Sequence, residues 1–300
     1  MPELSATFTA VDLSRLPPPA IIEELSFETI FAAMLAKLQE LLPDFEATVE
    51  SDPAVKLLQV AAYREMLLRA RVNEAARAVM PAYAVGADLD NLAALMGVTR
   101  LVIDEGDPDE GIDPALESDT DLRRRLVLAP EGFSVAGPSG AYIFHALSAH
   151  ADVLDASATS PTPGQVLVTV LSREAGGVPD AEILDAVEAR LSDESVRPLT
   201  DEVIVEAAEI VEFAVEAEIT TFAGPDGSIV MAESLRRLDE YLAAAHRLGR
   251  DVTRSALFAA LHSEGVQNVA LTLPAADLVL TRLQAPWCTG IDVTHAGSGE

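Results

Sequence analysis

The sequence predicts an α+β protein, in which a helical N-terminal region precedes mixed α+β domains with antiparallel hairpins and packed helices. Two patterns predict this class. Apolar residues recur at helical spacing through residues 51–80, where no Gly or Pro separates Pro53 from Pro81. From residue 151 onward, strand-like segments and turn signals are interspersed with helices, but not in a regular β-α-β-α order.

Three helices are predicted in the N-terminal third, at about 27–42, at 51–80 and within 85–100. The second has the clearest signals, because Ser51 or Asp52 can cap it and Pro53 suits its first turn. Residues 104–119 then contain eight acidic groups and no basic group, together with two prolines. This composition predicts a loop or linker. Its acids do not follow the calcium-loop spacing, so no calcium site is expected there.

Helices and strands alternate irregularly after this acidic stretch. Residues 151–159 and 165–172 read as two strands of a hairpin, and period-two alternation over 211–219 predicts a strand with one buried and one wet face. Asp251 is the predicted cap of a helix that runs to about 263, and residues 296–300 are expected to be loose. The remaining predicted helices are 117–126, 139–149, 179–193 and 229–248, and the remaining strands are 265–272, 277–283 and 289–295.

Four regions follow from this order. Residues 1–100 form an N-terminal arm and a helical docking region, and residues 101–150 form the acidic linker and connecting helices. Residues 151–222 form an α+β domain of β-β-α-β order, and residues 223–300 supply C-terminal helices and strands. We hypothesise that the α+β domains pivot about 101–118.

The segment SVRPLTDEV (195–203) combines a guanidinium, a hydroxyl and two carboxylates, so it raises the question of a catalytic cluster. Pro198 prevents the preceding helix from continuing, and Arg197 can pair with Asp201 or cap the helix C-terminus. Val203 then begins strand-like sequence. A joint between a helix and a strand is therefore the favoured interpretation.

Charge excludes some partners. The chain has 49 acidic and 20 basic residues, a formal net charge of −29. Such a field repels phosphate backbones and anionic membrane surfaces, so neither nucleic acid nor membrane is expected as a partner. Acidic residues also interrupt every apolar stretch before it reaches the length of a membrane span.

No motif in the sequence predicts an enzyme. The five histidines are dispersed, the nucleotide-binding and nucleophile-elbow patterns are absent, and the one cysteine, Cys288, has no partner base that spacing identifies. No catalytic residue, cofactor or metal site is therefore predicted. Two alternatives stay open: an acidic hydrolase-type enzyme with a dispersed active site, and a ligand- or metal-binding module. A deep pocket within 151–300 with converging carboxylates or histidines would favour the enzyme.

The helix at 51–80 carries the candidate interface. Leu57, Ala61, Leu68 and Ala75 fall on one apolar stripe, and Arg64 and Arg71 flank it, whereas Arg69 and Arg77 point elsewhere. A solvated helix surface explains this pattern. A docking surface for an acidic partner explains it as well, and the basic density is unusual in so acidic a chain.

Three segments, taken in order, resemble the phage baseplate assembly protein J family. They are SDPAVKLLQVAAYREMLLRARVNEAARAVM with the following helix (51–100), EGFSVAGPSGAYIFHALSAH with the following hairpin (131–172), and VPDAEILDAVEARLSDESVRPLTDEVIV (178–205). The resemblance covers about residues 26–295. It departs at 101–118, where the acidic stretch resembles a variable insertion.

The resemblance implies a structural role without catalytic residues or cofactors. Members of this family are wedge components of contractile-tail baseplates and related injection systems, in which copies form a ring around a central hub and spike. It implies that the N-terminal helices bundle with other wedge proteins and that the C-terminal α+β domains contact neighbouring copies. The expected location is the tail baseplate of the virion, after assembly in the host cytoplasm.

Overall fold

The computed structural model describes residues 13, 16–17, 19–45, 49, 51–224 and 226–299. Most of the predicted N-terminal arm lies outside these residues. The chain divides into two compact units, Asp12–Thr99 and a larger one that contains Arg100–Glu300. Within the described residues, no helix combines the length and the hydropathy that a bilayer crossing requires.

The smaller unit consists of three helices, as the sequence predicts: α1 (Phe27–Leu41), α2 (Pro53–Ala78) and α3 (Gly86–Ala94). The Ser26 hydroxyl accepts the backbone N–H of Thr29 to start α1, and the Asp52 carboxylate accepts that of Ala54 to start α2. Helix α1 packs along α2.

The larger unit contains five helices and eight strands, and its predicted α+β class is confirmed. Its helices are α4 (Asp119–Gly132), α5 (Ser139–Leu147), α6 (Ala181–Leu191), α7 (Gly227–Ala245) and α8 (Arg254–Leu261). Its strands are β1 (Val102–Asp104), β2 (Ala115–Leu116), β3 (Val153–Thr159), β4 (Gln165–Ser172), β5 (Glu202–Ala207), β6 (Glu209–Phe222), β7 (Val266–Leu273) and β8 (Gln284–Gly299).

Two three-stranded sheets organise this unit. In the first, of order β3-β4-β5, β3 and β4 form the predicted antiparallel hairpin, and β5 returns parallel to β4 after the crossover helix α6. In the second, of order β7-β6-β8, β6 pairs antiparallel with β7 and parallel with β8. Val215, Ala217 and Ile219 of β6 are buried in alternation with exposed glutamates, as the period-two pattern predicts.

A single extended segment connects the two sheets. Strand β5 ends at Ala207 and β6 begins at Glu209, and Ala208 between them donates its N–H to the carbonyl of Val170 in β4. A small core of Leu171, Ala208, Leu248 and Ala285 fills the junction. Although the predicted third region extends to 222, β6 therefore belongs to the C-terminal sheet.

At 104–119, where composition predicts a loop or linker, the structure has a loop enclosed by two short paired strands. Strands β1 and β2 pair antiparallel there, and Asp107 and Ile112 form a further bridge toward the tip. The base is closed because Glu117 donates its N–H to the carbonyl of Leu101 and accepts the N–H of Leu101 on its carboxylate. Composition indicates acidity and exposure, but it does not reveal this pairing. We call residues 102–116 the acidic hairpin.

Three details near the C-terminus also differ from the prediction. Thr253, rather than Asp251, caps α8, because the Asp251 carboxylate accepts the N–H of Leu280 instead. The predicted strand at 277–283 is reduced to one bridge between Leu278 and Val252. Residues 296–299 are not loose, since β8 continues to Gly299 beside the end of β6.

The junction core is expected to couple the stability of both sheets. Leu248 is fully buried, so Leu248→Ala should lower the free energy of unfolding by about 2–5 kcal/mol, because it leaves a cavity that the neighbours only partly fill. Urea unfolding measures this loss. The control Leu199→Ala changes a side chain that is 88% exposed and should cost less than about 0.5 kcal/mol. Equal costs would contradict a coupling role for the junction.

Candidate functional site

All six residues of the predicted interface lie on the exposed side of α2: Leu57, Ala61, Arg64, Leu68, Arg71 and Ala75. They are three or four positions apart, so they form one continuous row on the helix. Leu57 is 71% exposed and Leu68 is 64% exposed. The structure thus brings these residues onto one open surface, and the identity of a partner stays a prediction.

Exposed apolar area on α2 extends beyond this row. The helix buries only Val55, Ala62 and Asn73, and three more aliphatic side chains are exposed beside the predicted row: Val60, Leu67 and Val72. Scattered exposed apolar residues are ordinary, but a contiguous set on one helix is typical of a binding surface. Sequence spacing missed these residues, because it cannot tell which face of α2 is covered by α1.

The arginines of α2 differ in their partners. Arg69 pairs with Glu23 and Glu65, and Arg71 lies 3.4 Å from the exposed carboxylate of Glu74. Within the described part of the chain, Arg64 and Arg77 form no ion pair. These guanidinium groups are available to an acidic partner.

A groove lies between the C-terminal half of α2 and the start of α3. Its volume is about 610 Å³, and the α2 residues that line it are Arg71, Glu74, Ala75, Arg77 and Ala78. The opposite side is formed by residues 83–85 and Asp88. The structure therefore brings Arg77 to the same groove as Arg71 and Ala75, although the spacing argument separates it from them. We call this the α2–α3 groove.

The acidic hairpin is a strongly charged surface of the larger unit. All but one of its residues are exposed, including six carboxylates and the apolar side chains of Val102, Ile103, Ile112 and Leu116. Its turns are fixed internally: Asp104 accepts the N–H of Gly106, and Asp107 accepts those of Asp109 and Glu110. Any side chain in place of Gly106 would collide with the Ile112 carbonyl, because its Cβ would lie 2.4 Å from the carbonyl oxygen.

Buried ion pairs anchor the base of this hairpin. The Arg125 guanidinium binds both carboxylate oxygens of Glu117, at 2.8 and 2.6 Å, and both side chains are almost fully buried. Arg100 donates to the Glu117 carbonyl and to the Asp119 carboxylate. These contacts hold the base of the acidic hairpin against α4.

A second, largely buried network joins α4 to the first sheet and to the segment after α7. Asp155 of β3 accepts hydrogen bonds from Arg124 and from the backbone N–H of Leu248, the latter at 3.0 Å. Arg247 donates to the Leu154 carbonyl at 2.7 Å and lies 3.4 Å from Asp121. We call Asp121, Arg124, Asp155, Arg173 and Arg247 the arginine–aspartate network.

Asp121 receives two guanidinium groups in this network. Arg173 donates to one carboxylate oxygen at 2.9 Å, and Arg247 approaches the other. Burial alone would raise the pKa of Asp121. The positive charges of Arg173 and Arg247, with hydrogen bonds from Arg173 and Ser118, outweigh burial and lower the pKa below its ordinary value.

A cavity of about 470 Å³ in the larger unit tests the enzyme alternative. Its lining is mainly apolar, with Phe213, Leu242, Trp287 and Ile291 among its side chains, and it has one carboxylate, Asp239. The lining therefore does not supply the converging pair of carboxylates that acid/base hydrolysis needs. Across the described residues, no group of three metal-ligating side chains lies close enough to hold an ion.

The imidazole and thiol in this cavity are not arranged as an activated pair. His246 donates from Nδ1 to the carbonyl of Pro286, and burial lowers its pKa, which favours the neutral ring. Cys288 donates to the carbonyl of Gly290, and burial raises the pKa of its thiol. Each group hydrogen-bonds to a backbone carbonyl rather than to the other, so the two side chains do not form a hydrogen-bonded pair of nucleophile and base.

The SVRPLTDEV segment is a structural joint, as the sequence favours. Arg197 donates to the carbonyl of Ser192 at the end of α6 and to the backbone carbonyl of Asp201, not to its carboxylate. The Asp201 carboxylate instead accepts the Tyr142 hydroxyl at 2.8 Å. This bond ties the joint to α5.

Comparison with known proteins agrees with the resemblance. Models of two domain families match the chain: the Baseplate J-like N-terminal domain at residues 50–107 and the Baseplate J-like central domain at residues 134–207. Baseplate protein J of Escherichia phage P2 is 47% identical over 97% of this chain and 99% of its own length. The chain belongs to the baseplate J-like family.

One solved structure is also similar, although weakly. It is the cryo-EM structure of the anti-feeding prophage baseplate, with a TM-score of 0.41 and 16% identity over 60% of this baseplate J-like chain. The chain spans 43% of that structure's chain.

The two family matches cover different parts of this baseplate J-like protein. The N-terminal match contains α2 and the α2–α3 groove, and the central match contains α5, α6 and the sheet β3-β4-β5. Residues 108–133, between the matches, contain the tip of the acidic hairpin and α4. The hairpin tip therefore lies outside both family matches.

Asp155→Ala should destabilise this baseplate J-like protein strongly. It leaves the partly buried guanidinium of Arg124 and the N–H of Leu248 without the buried Asp155 carboxylate as acceptor, and breaking a buried pair on one side costs about 3–5 kcal/mol. Urea denaturation measures the loss. The control Glu40→Ala removes the exposed pair with Lys37 and should cost at most about 1 kcal/mol. Similar losses in both variants would show that the network is dispensable.

The lowered pKa of Asp121 predicts a dependence of stability on pH. Because the folded pKa is below the unfolded value of about 3.9, the carboxylate stabilises the fold above that value and loses this effect as pH falls through the folded pKa. Asp121→Asn should therefore be less stable than the wild type at pH 6, and the difference should shrink toward pH 3. Denaturation midpoints across this range measure it, and a difference independent of pH would contradict the assignment.

Proposed function

We propose that this chain is a structural wedge subunit of a contractile-tail baseplate, or of a related injection system, and that copies of it form a ring around a central hub and spike. One observation carries the proposal: a protein of the baseplate J-like family presents a long helix, α2, whose outward row of apolar and basic side chains is exposed. The P2 relative, matched over nearly its full length, is named a baseplate protein.

Exposure of Leu57 and Leu68 supports a docking role for α2. Burying an aliphatic side chain contributes about 1.5–3 kcal/mol, so several such side chains along one helix give a large driving force for association. Helices that pair through apolar rows use flanking charges to select partners. Arg64 and Arg71 are positioned within the row for that task, and another wedge protein with an acidic helix is the proposed partner.

The larger unit is proposed to contact neighbouring copies. Its two sheets share one continuous segment and one junction core, so it has the rigidity that a repeated ring contact requires. The N-terminal helices would connect each copy to the wedge, and the hub and spike proteins would lie inside the ring. The four-region division given by the sequence is proposed with one change: the boundary between the third and fourth regions moves to Ala208, because β6 belongs to the C-terminal sheet.

The proposed role is non-enzymatic and confined to the virion. The 470 Å³ cavity contributes one carboxylate, and its imidazole and thiol each hydrogen-bond to a backbone carbonyl rather than to each other, which supports a role without catalysis. The net charge of −29 disfavours nucleic acid and anionic membranes as partners and keeps free subunits soluble before assembly in the host cytoplasm. The proposed final location is the tail baseplate.

Charged substitutions in the α2 row should block assembly without unfolding the protein. In Leu57→Asp/Leu68→Asp, two exposed side chains change, so the urea midpoint should stay close to that of the wild type. If both side chains are buried on docking, association should weaken by about 2–4 kcal/mol, which is more than tenfold. Incorporation of the variant into purified tails measures the effect.

The matched control is Leu199→Asp, because Leu199 is equally apolar and more exposed but lies in the larger unit. It should enter tails at the wild-type level. Normal incorporation of the double variant would refute docking through α2, and absence of the wild-type protein from purified tails would refute the baseplate role itself.

A further inference from the structure

We propose that Phe133 of one copy inserts into the 470 Å³ cavity of a neighbouring copy, so that the larger units of successive copies are joined head to tail. This inference rests on the proposed function, because it requires copies to lie side by side in a ring. It identifies the two surfaces through which the larger units contact one another.

The α4–α5 loop (133–138) presents two apolar side chains to solvent. Phe133 is 67% exposed and Val135 is 61% exposed. Among the described residues, Phe133 is the most exposed aromatic side chain. Because aromatic side chains seated in pockets carry much of the binding energy of protein interfaces, an exposed ring on a short loop has the form of an anchor.

Local contacts hold the α4–α5 loop in shape. The Ser134 hydroxyl accepts the N–H of Ala136 at 3.3 Å. Gly137 has a φ of +75°, and a Cβ at this position would lie 2.8 Å from the Pro198 ring, so the loop packs closely against the joint at 195–203. A segment that is already ordered loses little conformational entropy on association.

The cavity has the apolar lining that such an anchor needs. Phe213 and Leu242 line it, together with Trp287 and Ile291, which are both exposed to solvent. Its volume of about 470 Å³ lies within the range of roughly 300–1,000 Å³ that is common for pockets that bind small molecules. It therefore has room for an aromatic ring, and insertion of the ring removes apolar surface of both copies from water.

The charges around the two surfaces permit this contact in an acidic protein. Residues 132–144 contain no charged side chain. The cavity lining has one carboxylate, Asp239, which is exposed to solvent, and one guanidinium, Arg173, which already donates to Asp121. The uncharged loop can therefore approach the cavity without the repulsion that opposes contact between two acidic surfaces.

The loop and the cavity lie at opposite ends of strand β4. Gly137 packs beside the joint that leads into β5, and the first residue of β5, Glu202, pairs with Gln165 at the start of β4. Arg173 of the cavity follows Ser172, the last residue of β4. Eight residues at about 3.3 Å each give a separation of roughly 25 Å, so the loop of one chain cannot fill the cavity of the same chain.

A second copy is the occupant that this placement favours. The anchor and the cavity are different surfaces of one unit, so contact between copies is heterologous, and repeated heterologous contact closes into a ring when the rotation from copy to copy allows it. A contact between identical surfaces would join copies only in pairs. The proposed ring requires every copy to use two different surfaces, and the loop and the cavity provide them.

Cross-linking within purified tails tests the contact. Cys288 is the only cysteine of the chain and lines the cavity, so Val135→Cys alone places a second thiol beside the anchor. After treatment with a short bismaleimide, we expect cross-linked dimers and larger species on denaturing gels. The wild type, the variant Val135→Cys/Cys288→Ser and the control Asp185→Cys, at an exposed position of α6, should give none.

The outcomes separate this inference from the proposed function. Cross-links between copies in tails support both. Incorporation of Val135→Cys without a cross-link, or with a cross-link only inside one chain, overturns the contact and leaves the baseplate role intact. Absence of the wild-type chain from tails overturns both. If Val135→Cys itself does not enter tails, the anchor variants decide.

Substitution of the anchor provides a second measurement that needs no added thiol. Phe133→Asp would place a carboxylate in an apolar cavity, so its incorporation into tails should fall by at least about tenfold, which corresponds to about 1.4 kcal/mol. Ile291→Asp, on the cavity side of the contact, should have the same effect. Leu199→Asp is the matched control, because it makes the same change at a more exposed apolar side chain of the larger unit and should enter tails normally.

Normal incorporation of either Phe133→Asp or Ile291→Asp would overturn the contact. Urea denaturation of each variant confirms that it is folded. Alanine at the same position replaces an aspartate variant that does not fold, because it removes the apolar contact without adding a charge.

Discussion

The buried carboxylate of Asp155 is the constraint on which the larger unit depends. It accepts hydrogen bonds from α4 through Arg124 and from the segment after α7 through the N–H of Leu248. An isolated buried carboxylate would be very costly, so the surrounding arginines are required, and they are buried at a cost of their own. The network therefore links α4, β3 and the segment after α7 in one arrangement that satisfies the Asp155 carboxylate.

The continuous segment from β5 to β6 also restricts how the two sheets can be placed relative to each other. Ala208 still bonds to β4 when Glu209 begins to pair beside Gln284, so no free residue separates the two sheets. Leu171 and Leu248 close the gap with apolar contacts. Rigidity of this kind suits a subunit that must transmit force between neighbours, because a packed core changes shape in steps rather than continuously.

Much of this fold is predictable from local sequence. The cap and the first proline of α2, the hairpin of β3 and β4 and the alternation of β6 depend on neighbouring residues, so periodicity identifies them. The failures involve distant partners. Asp251 is a residue type that often caps helices, but its carboxylate accepts the N–H of Leu280. The last residues of β8 are of the kinds found in loose tails, but they pair with β6. The same limit applies to the site: spacing identifies the row on α2, whereas the groove shared by Arg71 and Arg77 requires the position of α3.

The distribution of charged side chains limits which surfaces of the protein can associate with a partner. The arginine–aspartate network uses its guanidinium groups internally, and Arg125 does the same at the base of the hairpin. These cations are neutralised and do not attract a partner. Among the described residues, Arg64 and Arg77 of α2 form no ion pair, while the acidic hairpin belongs to the larger unit. An acidic surface repels other acidic surfaces over a Debye length, roughly 8–10 Å at ordinary salt. Association therefore begins at the surfaces that are not acidic.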